Sequence, residues 1–220
     1  MSDLNFESAR KHMVESQIRT WEVFDQQVLD LMARAPREDF VPAAYRNLAY
    51  ADLNIPLSHG QVMMPPKMEA RLLQALDVQP TDKVLEVGTG SGYLTWLLAN
   101  LAREVISVEI DPALSAQAEK TLGIHGIRNA ALEVGDAARN WDAHAPYDVI
   151  LITGSLPLFP AEYQKSLAIG GRLVAVVGAS PVMDVLRVRR AAENSYIRES
   201  LFETDLPPLK NAQTPASFVF

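Results

Sequence analysis

The sequence contains no cysteine among its 220 residues. Disulfide bonds, thiolate catalysis and cysteine-ligated metal centres are therefore excluded. Histidine is also scarce, and no two histidines have the H-x-x-x-H spacing of a helical metal site. The sequence thus predicts no metal site, and its four histidines are scattered: His12, His59, His125 and His144.

Long apolar runs and an excess of positive charge are absent as well. No apolar run approaches the ~20 residues of a membrane span, and the N-terminal stretch MSDLNFESARKHMVES lacks an apolar segment of signal-peptide type. The formal net charge of −7 argues against generic nucleic-acid binding. We therefore expect a cytoplasmic enzyme whose partners include neither a nucleic acid nor a membrane.

The stretch KVLEVGTGSG, from Lys83 to Gly92, is the strongest local signal in the chain. It predicts a buried strand, a tight turn with glycine at 88, 90 and 92, and a helix over 93–101. Glycine allows positive φ and lets a ligand approach the backbone closely. The helix N-terminus behind the turn offers free N–H groups and the positive end of a dipole. A plain strand-to-helix corner seldom needs three glycines in five residues, so the turn predicts a ligand site.

The spacing G-x-G-x-G differs from the dinucleotide fingerprint G-x-G-x-x-G, because Tyr93 stands where the third glycine would be. Glu86, inside the strand, suits an ammonium group, which NAD lacks and S-adenosylmethionine has. A second strand over 104–110 carries Glu109 about twenty residues past the turn, where an acid can accept hydrogen bonds from two ribose hydroxyls. E-V-G-T-G-S-G followed by V-E-I-D resembles motifs I and II of the class I S-adenosylmethionine-dependent methyltransferases. This resemblance implies cofactor contacts at Glu86, Gly88, Thr89, Gly90, Gly92, Tyr93, Glu109 and Ile110.

Strand and helix patterns alternate through the rest of the chain. Strands are predicted over 130–134, 147–152 and 172–177, with helices over 112–122 (ended by Gly123) and 159–167, and an antiparallel pair over 182–190 and 195–203. This order predicts an α/β fold with a mostly parallel, doubly wound sheet and an antiparallel edge. Ligands bind beyond the carboxyl ends of such strands. That rule gathers Gly88, Glu109, Asp136 and Thr153 on one rim, with Asp136 either bonding the adenine amino group or capping a helix.

Residues up to about 50 read as a helical N-terminal cap, with helices over 6–21 and 26–34 and Asp25 as an N-cap. Residues 55–66, IPLSHGQVMMPP, are irregular, and we refer to them below as the acceptor loop. They form either a functional loop or a plain surface connection. A helix is predicted over 67–76. Since no linker is apparent, we expect a single domain over 1–220, with the cap and acceptor loop in 1–66 and the cofactor-binding core in 67–220.

A wider set of motifs points to a family. In chain order they are P-R-E-D-F-V-P at 36–42, A-Y-A-D at 49–52, G-Q at 60–61, E-V-G-T-G-S-G-Y at 86–93, G-D at 135–136, A-P-Y-D at 145–148 and G-G-R-L-V at 170–174. From about Met13 to Leu209 the chain resembles the protein-L-isoaspartate O-methyltransferase family. The resemblance implies a Rossmann-like class I methyltransferase fold and methylation of L-isoaspartyl (D-aspartyl) residues of damaged proteins with S-adenosylmethionine, as the first step of repair. It also implies cofactor contacts at Asp136, Ala137 and Thr153, with Gln61, Thr153 and position 64 facing the acceptor.

The sequence departs from the family at the acceptor loop. The usual T-I-S is replaced by Val62-Met63-Met64, so that Met64 occupies the place of the active-site serine. Three interpretations follow: an isoaspartyl methyltransferase with an atypical loop, a related methyltransferase for another protein or small-molecule acceptor, and a non-catalytic S-adenosylmethionine-binding protein. In each case we expect a monomer or a weak dimer.

Overall fold

The protein is built on one seven-stranded sheet, flanked by helices on both sides. The structure, a computed structural model, describes residues 5–159 and 161–215. The sheet order is β5-β4-β3-β6-β7-β8-β9; its first five strands are parallel and its last two antiparallel. The predicted fold class is confirmed. The strands are β3 (Lys83–Val87), β4 (Glu104–Glu109), β5 (Ala130–Val134), β6 (Tyr147–Leu156), β7 (Leu167–Ala179), β8 (Val182–Ala192) and β9 (Ser195–Thr204).

The strand order reverses beside β3, which pairs with β4 on one side and β6 on the other. The central strands are apolar and buried on both faces, as parallel strands covered by helices must be. A crevice opens at such a reversal, beyond the carboxyl ends of the strands. The fold therefore places a ligand site beside the glycine turn that follows β3.

The helices are α1 (Phe6–Met13), α2 (Gln26–Arg34), α3 (Pro66–Leu76), α4 (Tyr93–Ala99), α5 (Pro112–Ile124) and α6 (Ala161–Lys165). The helix predicted over 6–21 continues past α1 as a π-helical segment, Val14–Ile18, and a 3-10 turn, Arg19–Trp21. The predicted N-cap is confirmed, because Asp25 accepts from two backbone N–H groups of α2; Asp111 caps α5 in the same way. None of the described helices has the length and apolar character that crossing a bilayer requires.

Two predicted boundaries are wrong. Helix α5 passes through Gly123 and ends after Ile124; Gly126, with φ of 74°, makes the reversal. There the N–H of Gly126 donates to the Gly123 carbonyl and that of Ile127 to the Leu122 carbonyl, the arrangement of a Schellman-type C-terminus. The helix predicted over 159–167 ends earlier than expected, because α6 (Ala161–Lys165) stops at Lys165; residue 160, near its predicted start, lies outside the described residues.

The strand predicted over 147–152 is longer than expected, because the residues after 152 continue it. Strand β6 runs on to Leu156 after a register shift, and Ser155 and Leu156 pair with Val176 and Val177 of β7. Strand β7 likewise starts at Leu167, ahead of the predicted start at 172, and Gly170 and Gly171 lie within it at an irregularity in the pairing.

The N-terminal helices and the sheet share one cluster of buried apolar side chains. Met13 and Met32 of the helical cap pack in the same cluster as Leu72 of α3 and Val84 of β3. The acceptor loop forms a small antiparallel hairpin, β1 (Ile55–Pro56) and β2 (Val62–Met63), joined by a 3-10 turn over Ser58–Gly60. This hairpin leads directly into α3, so the cap and the loop reach the cofactor side of the sheet together.

Candidate active site

A partly open cavity lies beyond the carboxyl ends of β3, β4, β5 and β6. The four predicted strand-end positions all line it, and so does the acceptor loop. Its lining includes Gly88, Thr89, Gly90, Glu109, Ile110, Asp136, Ala137 and Thr153 from the sheet rim, Gln61, Val62, Met63 and Met64 from the acceptor loop, and Glu69 from α3. The predicted rim is thereby confirmed as one surface.

The glycine turn lies against the end of β6. Gly88 has φ of 95°, and a Cβ built on it would stand 2.2 Å from the Thr153 hydroxyl oxygen, so a side chain cannot fit there. The Thr153 hydroxyl is 2.9 Å from the Val87 carbonyl oxygen and 2.8 Å from that of Gly88, to which it donates. Thr153 therefore fixes the turn from the neighbouring strand.

Glu109, at the end of β4, holds the turn from the other side. One carboxylate oxygen accepts from the Gly90 N–H at 2.8 Å, and the other accepts from the Asp111 N–H at 3.0 Å. The side chain is buried but lines the cavity. Because an ionised carboxylate has about four acceptor positions, Glu109 retains acceptor capacity for two hydroxyl groups of a ligand.

Asp136 follows β5 and is exposed at the rim. Its carboxylate accepts from the Ala138 N–H at 3.0 Å and from the Asn211 side-chain amide at 2.8 Å. The alternative role as a helix N-cap is wrong, since the chain between β5 and β6 forms turns and no helix. Within the described residues, no group of three His, Asp or Glu side chains is arranged to hold a metal ion.

The acceptor loop closes the cavity opposite the rim. Met63 and Met64 are almost completely buried and present an apolar wall, while Gln61 and Val62 are half-buried. The His59 imidazole is paired with the Asp111 carboxylate, which also caps α5. This contact holds the tip of the loop next to the strand end that carries Glu109.

The chain was compared with known proteins. A family model described as Protein-L-isoaspartate(D-aspartate) O-methyltransferase (PCMT) matches residues 8–213. The chain belongs to the PCMT family. It is thereby identified as an S-adenosylmethionine-dependent methyltransferase, and its rim and acceptor loop take their expected places around one cavity.

Relatives of known name agree with this assignment. The chain is 43% identical to a protein-L-isoaspartate O-methyltransferase of Synechococcus sp. (strain JA-2-3B'a(2-13)), over 80% of this chain and 72% of the relative. It is 38% identical to protein-L-isoaspartate O-methyltransferase 2 of Pelobacter propionicus, over 95% and 93%. A PCMT crystal structure from Plasmodium falciparum, in complex with S-adenosyl-L-homocysteine, superposes with a TM-score of 0.78 at 21% identity, covering 91% of this chain and 98% of that one. At that identity the likeness shows the fold.

In this PCMT member Glu86, which the sequence predicts to touch the cofactor, lies outside the cavity lining. The side chain is fully buried beneath the glycine turn and does not line the cavity. One carboxylate oxygen accepts from the Thr95 hydroxyl at 2.5 Å and the Ser107 hydroxyl at 2.6 Å; the other has no hydrogen-bond partner among the residues that the structure describes. Burial raises the pKa of Glu86 to about 7, although both hydroxyls act in the opposite direction. The Ser107 and Thr89 hydroxyls are 2.6 Å apart, so Glu86 reaches the cavity only through them.

Gly92 and Tyr93 are also displaced from their predicted role. A Cβ on Gly92, where φ is 83°, would stand 3.0 Å from the Cβ of Ala118, so this glycine serves the packing of α5. The Tyr93 ring points into the helical cap, with the Arg37 guanidinium 4.6 Å from its centroid, and burial raises the pKa of its hydroxyl. Neither residue lines the cavity.

A C-terminal wall of the cavity was missing from the sequence prediction. Ser155 is fully buried and holds this wall: its N–H donates to the Pro207 carbonyl at 3.0 Å, and its hydroxyl to the Leu206 carbonyl at 2.8 Å. The small Gly154 leaves room for Leu209, whose side chain would lie 2.7 Å from an added Cβ. The apolar run LPPLK after the last strand was the available signal. The wall consists of Leu206, Pro207, Pro208, Leu209 and Lys210.

Proposed function

We propose that this enzyme transfers a methyl group from S-adenosylmethionine to the free α-carboxylate of L-isoaspartyl (and D-aspartyl) residues in proteins or peptides. The observation that carries the proposal is the single cavity, in which the family's cofactor rim and the family's acceptor loop face each other. Supporting it, relatives across most of the chain bear the name of this activity.

Cofactor binding in this proposal rests on the rim. Glu109 accepts hydrogen bonds from the ribose hydroxyls, Asp136 faces the adenine, and the glycine turn admits the ligand to the backbone at Gly88 and Gly90. S-adenosylmethionine supplies an electrophilic methyl group on a sulfonium centre. Ile110 and Ala137, beside the two acids, complete an apolar surface for the adenosyl group.

The acceptor side needs alignment more than proton transfer. A carboxylic acid ordinarily has a pKa near ~4 and is ionised at neutral pH, so no general base is required. Correct orientation alone is worth roughly 7–11 kcal/mol in favourable cases. Met63 and Met64 keep water away from a step in which a cation and an anion neutralise each other. Gln61, half-buried at the cavity, supplies an amide donor for orienting the acceptor, and Thr153 holds the glycine turn beside it.

Lys210 provides the acceptor carboxylate with a cationic partner in this proposal. Among the described residues that line the cavity it is the only cationic side chain, beside the acids Glu69, Glu109 and Asp136. It is exposed, and among the described residues it forms no salt bridge. In this proposal Lys210 orients the acceptor carboxylate. It thereby takes over part of the role that the family resemblance assigns to hydroxyls at positions 62 and 64.

The direct test is transfer of labelled methyl from S-adenosylmethionine to an isoaspartyl hexapeptide. We expect a base-labile methyl ester on that peptide and none on the same peptide with ordinary aspartate. The Lys210→Met variant should raise the KM for the peptide about tenfold, for ~1.4 kcal/mol of lost attraction, with cofactor affinity unchanged. If the protein binds S-adenosylmethionine and labels a component of a cell extract but never the isoaspartyl peptide, the acceptor assignment is wrong.

In the cell we propose that the esterification starts repair of damaged proteins in the cytoplasm. We also propose that residues 1–220 act as one domain, monomeric or weakly dimeric. The cluster that joins Met13 and Met32 to Val84 supports a single unit. Light scattering at micromolar concentration should give the monomer mass of 24.3 kDa. A stable larger species would contradict the proposed oligomeric state.

A further inference from the structure

The motif PREDFVP, at residues 36–42, lies outside the cavity, but its first charged residue, Arg37, contacts two residues that line it, Met64 and Glu69. Helix α2 ends at Arg34, and Arg37 opens a 3-10 turn, Arg37–Asp39, with its side chain completely buried. Of the other side chains of the motif, Glu38 pairs with Arg10 and accepts from the Tyr50 hydroxyl in the helical cap, while Phe40 stacks on His125 at the end of α5. Arg37 points the other way, beneath the acceptor loop.

The Arg37 guanidinium joins four parts of the molecule. Its Nε donates to the Ala49 carbonyl at 2.7 Å, and one terminal nitrogen donates to the Met64 carbonyl at 2.5 Å. The other terminal nitrogen is paired with the Glu69 carboxylate on α3. Its plane lies over the Tyr93 ring, at the start of the helix that follows the glycine turn. Met64 and Glu69 both line the cavity, so Arg37 lies directly behind the acceptor wall.

Stability alone does not require this arrangement. Removing two charges from water costs several kcal/mol per ion, and apolar replacements of a buried ion pair are often neutral or stabilising. An apolar pair, however, cannot donate a hydrogen bond to the Met64 carbonyl. That bond fixes the distance between the acceptor loop and the opposite side of the cavity. A planar guanidinium with five donors suits that task, because it bonds several acceptors in one fixed geometry.

We propose that Arg37 is a positioning residue for methyl transfer: through the Met64 carbonyl it sets where the acceptor loop stands relative to the cofactor rim. This inference rests on the proposed function for its activity readout. A loop released from Arg37 moves the acceptor carboxylate off the line of attack, and a misplacement of about 1 Å can cost on the order of a hundredfold in rate.

The test uses the full-length protein and two variants. Arg37→Met with Glu69→Gln removes both charges of the pair, so that no unpaired ion stays buried. Arg37→Lys keeps the charge opposite Glu69 but cannot bond the Met64 and Ala49 carbonyls together in the same fixed fork. The matched control is Arg10→Met, which breaks another ion pair of the helical cap, with Glu38, away from the cavity.

Three measurements separate positioning from packing: kcat and KM with an isoaspartyl hexapeptide, S-adenosylhomocysteine affinity by calorimetry, and amide hydrogen exchange of residues 57–64 against 93–99. In the double variant we expect kcat/KM to fall ~10- to 100-fold, with ligand affinity within about threefold. Exchange should become faster in 57–64 and stay unchanged in 93–99. Arg37→Lys should show the same pattern more weakly, and Arg10→Met should match the wild type.

Unchanged kcat/KM and unchanged loop exchange in the double variant would overturn the proposal and leave Arg37 a packing residue. A loss of ligand affinity as large as the loss of kcat/KM would overturn it too, because Arg37 would then act through Tyr93 on the cofactor side. If the double variant does not unfold cooperatively in urea, Arg37→Lys is judged by the same criteria. If the wild type never methylates isoaspartyl peptides, the proposed function fails, while the hydrogen exchange of 57–64 still decides the role of Arg37.

Discussion

Glu109 is the side chain on which cofactor affinity should depend most. It is buried, it bonds the backbone of Gly90 and Asp111, and it keeps acceptor capacity toward the cavity. Replacing it with alanine removes the ribose contacts and also leaves the Gly90 N–H without its acceptor. We expect Glu109→Ala to weaken S-adenosylmethionine binding by about 2–5 kcal/mol, measured by calorimetry.

The matched control for this change is Glu119→Ala, which removes an exposed carboxylate of the same charge from α5. It should leave the affinity unchanged. Equal affinities for the wild type and Glu109→Ala would remove Glu109 from the cofactor site.

Glu86 should give the protein a pH-dependent stability of its own. Burial raises its pKa from 4.5 to about 7, so the folded state holds this proton more tightly than the unfolded chain. The stabilisation that protonated Glu86 gives the folded state is therefore fully present below pH 4.5 and is lost as the pH rises through about 7. In Glu86→Gln that pH dependence is absent. Across this range the free energy of unfolding should therefore fall by about 3 kcal/mol more in the wild type than in the variant.

Urea unfolding at pH 4 and pH 8 for both proteins measures this difference, because the other titrating groups cancel in the comparison. Thr95→Val, which removes one hydroxyl bonded to Glu86, serves as a second variant that should raise the pKa further. Parallel pH profiles for the wild type and Glu86→Gln would show that Glu86 stays ionised when buried.

At the scale of elements, the features that local sequence determines were predicted well. β3 is a short apolar run closed by glycine, and α2 and α5 each begin at an aspartate that caps them. The end of β6 was not predictable in this way, because residues 153–156 become strand only through β7 and the C-terminal wall. A strand that depends on partners 21 residues away in β7 and 52 residues away in the C-terminal wall leaves little trace in its own pattern.

The candidate site was predictable in its rim but not in the direction of every side chain. Both faces of β3 are buried, so alternation gives no indication that Glu86 turns toward Thr95 and Ser107 instead of the cavity. Tyr93 stands beside the glycine turn, but its ring packs against Arg37 from a segment more than fifty residues earlier. These contacts are tertiary, and a motif that is read along the chain cannot show them.

The acceptor loop is the element whose change should alter catalysis without altering the cofactor site. The family resemblance implies hydroxyl residues at the positions of Val62 and Met64, and both positions line the cavity. We expect weak turnover of isoaspartyl peptides by the wild type. Val62→Thr with Met64→Ser should raise it about ten- to a hundredfold, for ~1.4–2.8 kcal/mol of regained alignment.

Steady-state kinetics on one isoaspartyl hexapeptide decide this prediction. Met64 is almost completely buried, so its truncation costs stability, and the assay temperature must lie below the unfolding midpoint of the variant. Val182→Thr, an equivalent change at an exposed strand position, is the control and should leave turnover unchanged. Wild-type turnover equal to that of a family member with the serine would show that these hydroxyls are dispensable.

For the whole molecule, the cavity joins three separate parts of the chain: the helical cap through the acceptor loop, the sheet rim, and the C-terminal wall. A ligand that fills the cavity binds only the folded protein, because the three parts come together only when the chain is folded. Binding therefore adds to the free energy of unfolding in proportion to the logarithm of ligand concentration. This gives a test of cofactor identity that does not depend on the acceptor.

At a concentration one hundred times its Kd, S-adenosylmethionine should stabilise the protein by about 2.7 kcal/mol. For a chain of this length that raises the unfolding midpoint by about 5–10 °C, readable by calorimetry or fluorescence. NAD at the same concentration should give no shift, because the turn has G-x-G-x-G spacing and Tyr93 fills the place of the third fingerprint glycine. Glu109→Ala should abolish most of the shift by S-adenosylmethionine while Glu119→Ala retains it. A shift with NAD and none with S-adenosylmethionine would contradict the assignment of the cofactor, whatever the acceptor proves to be.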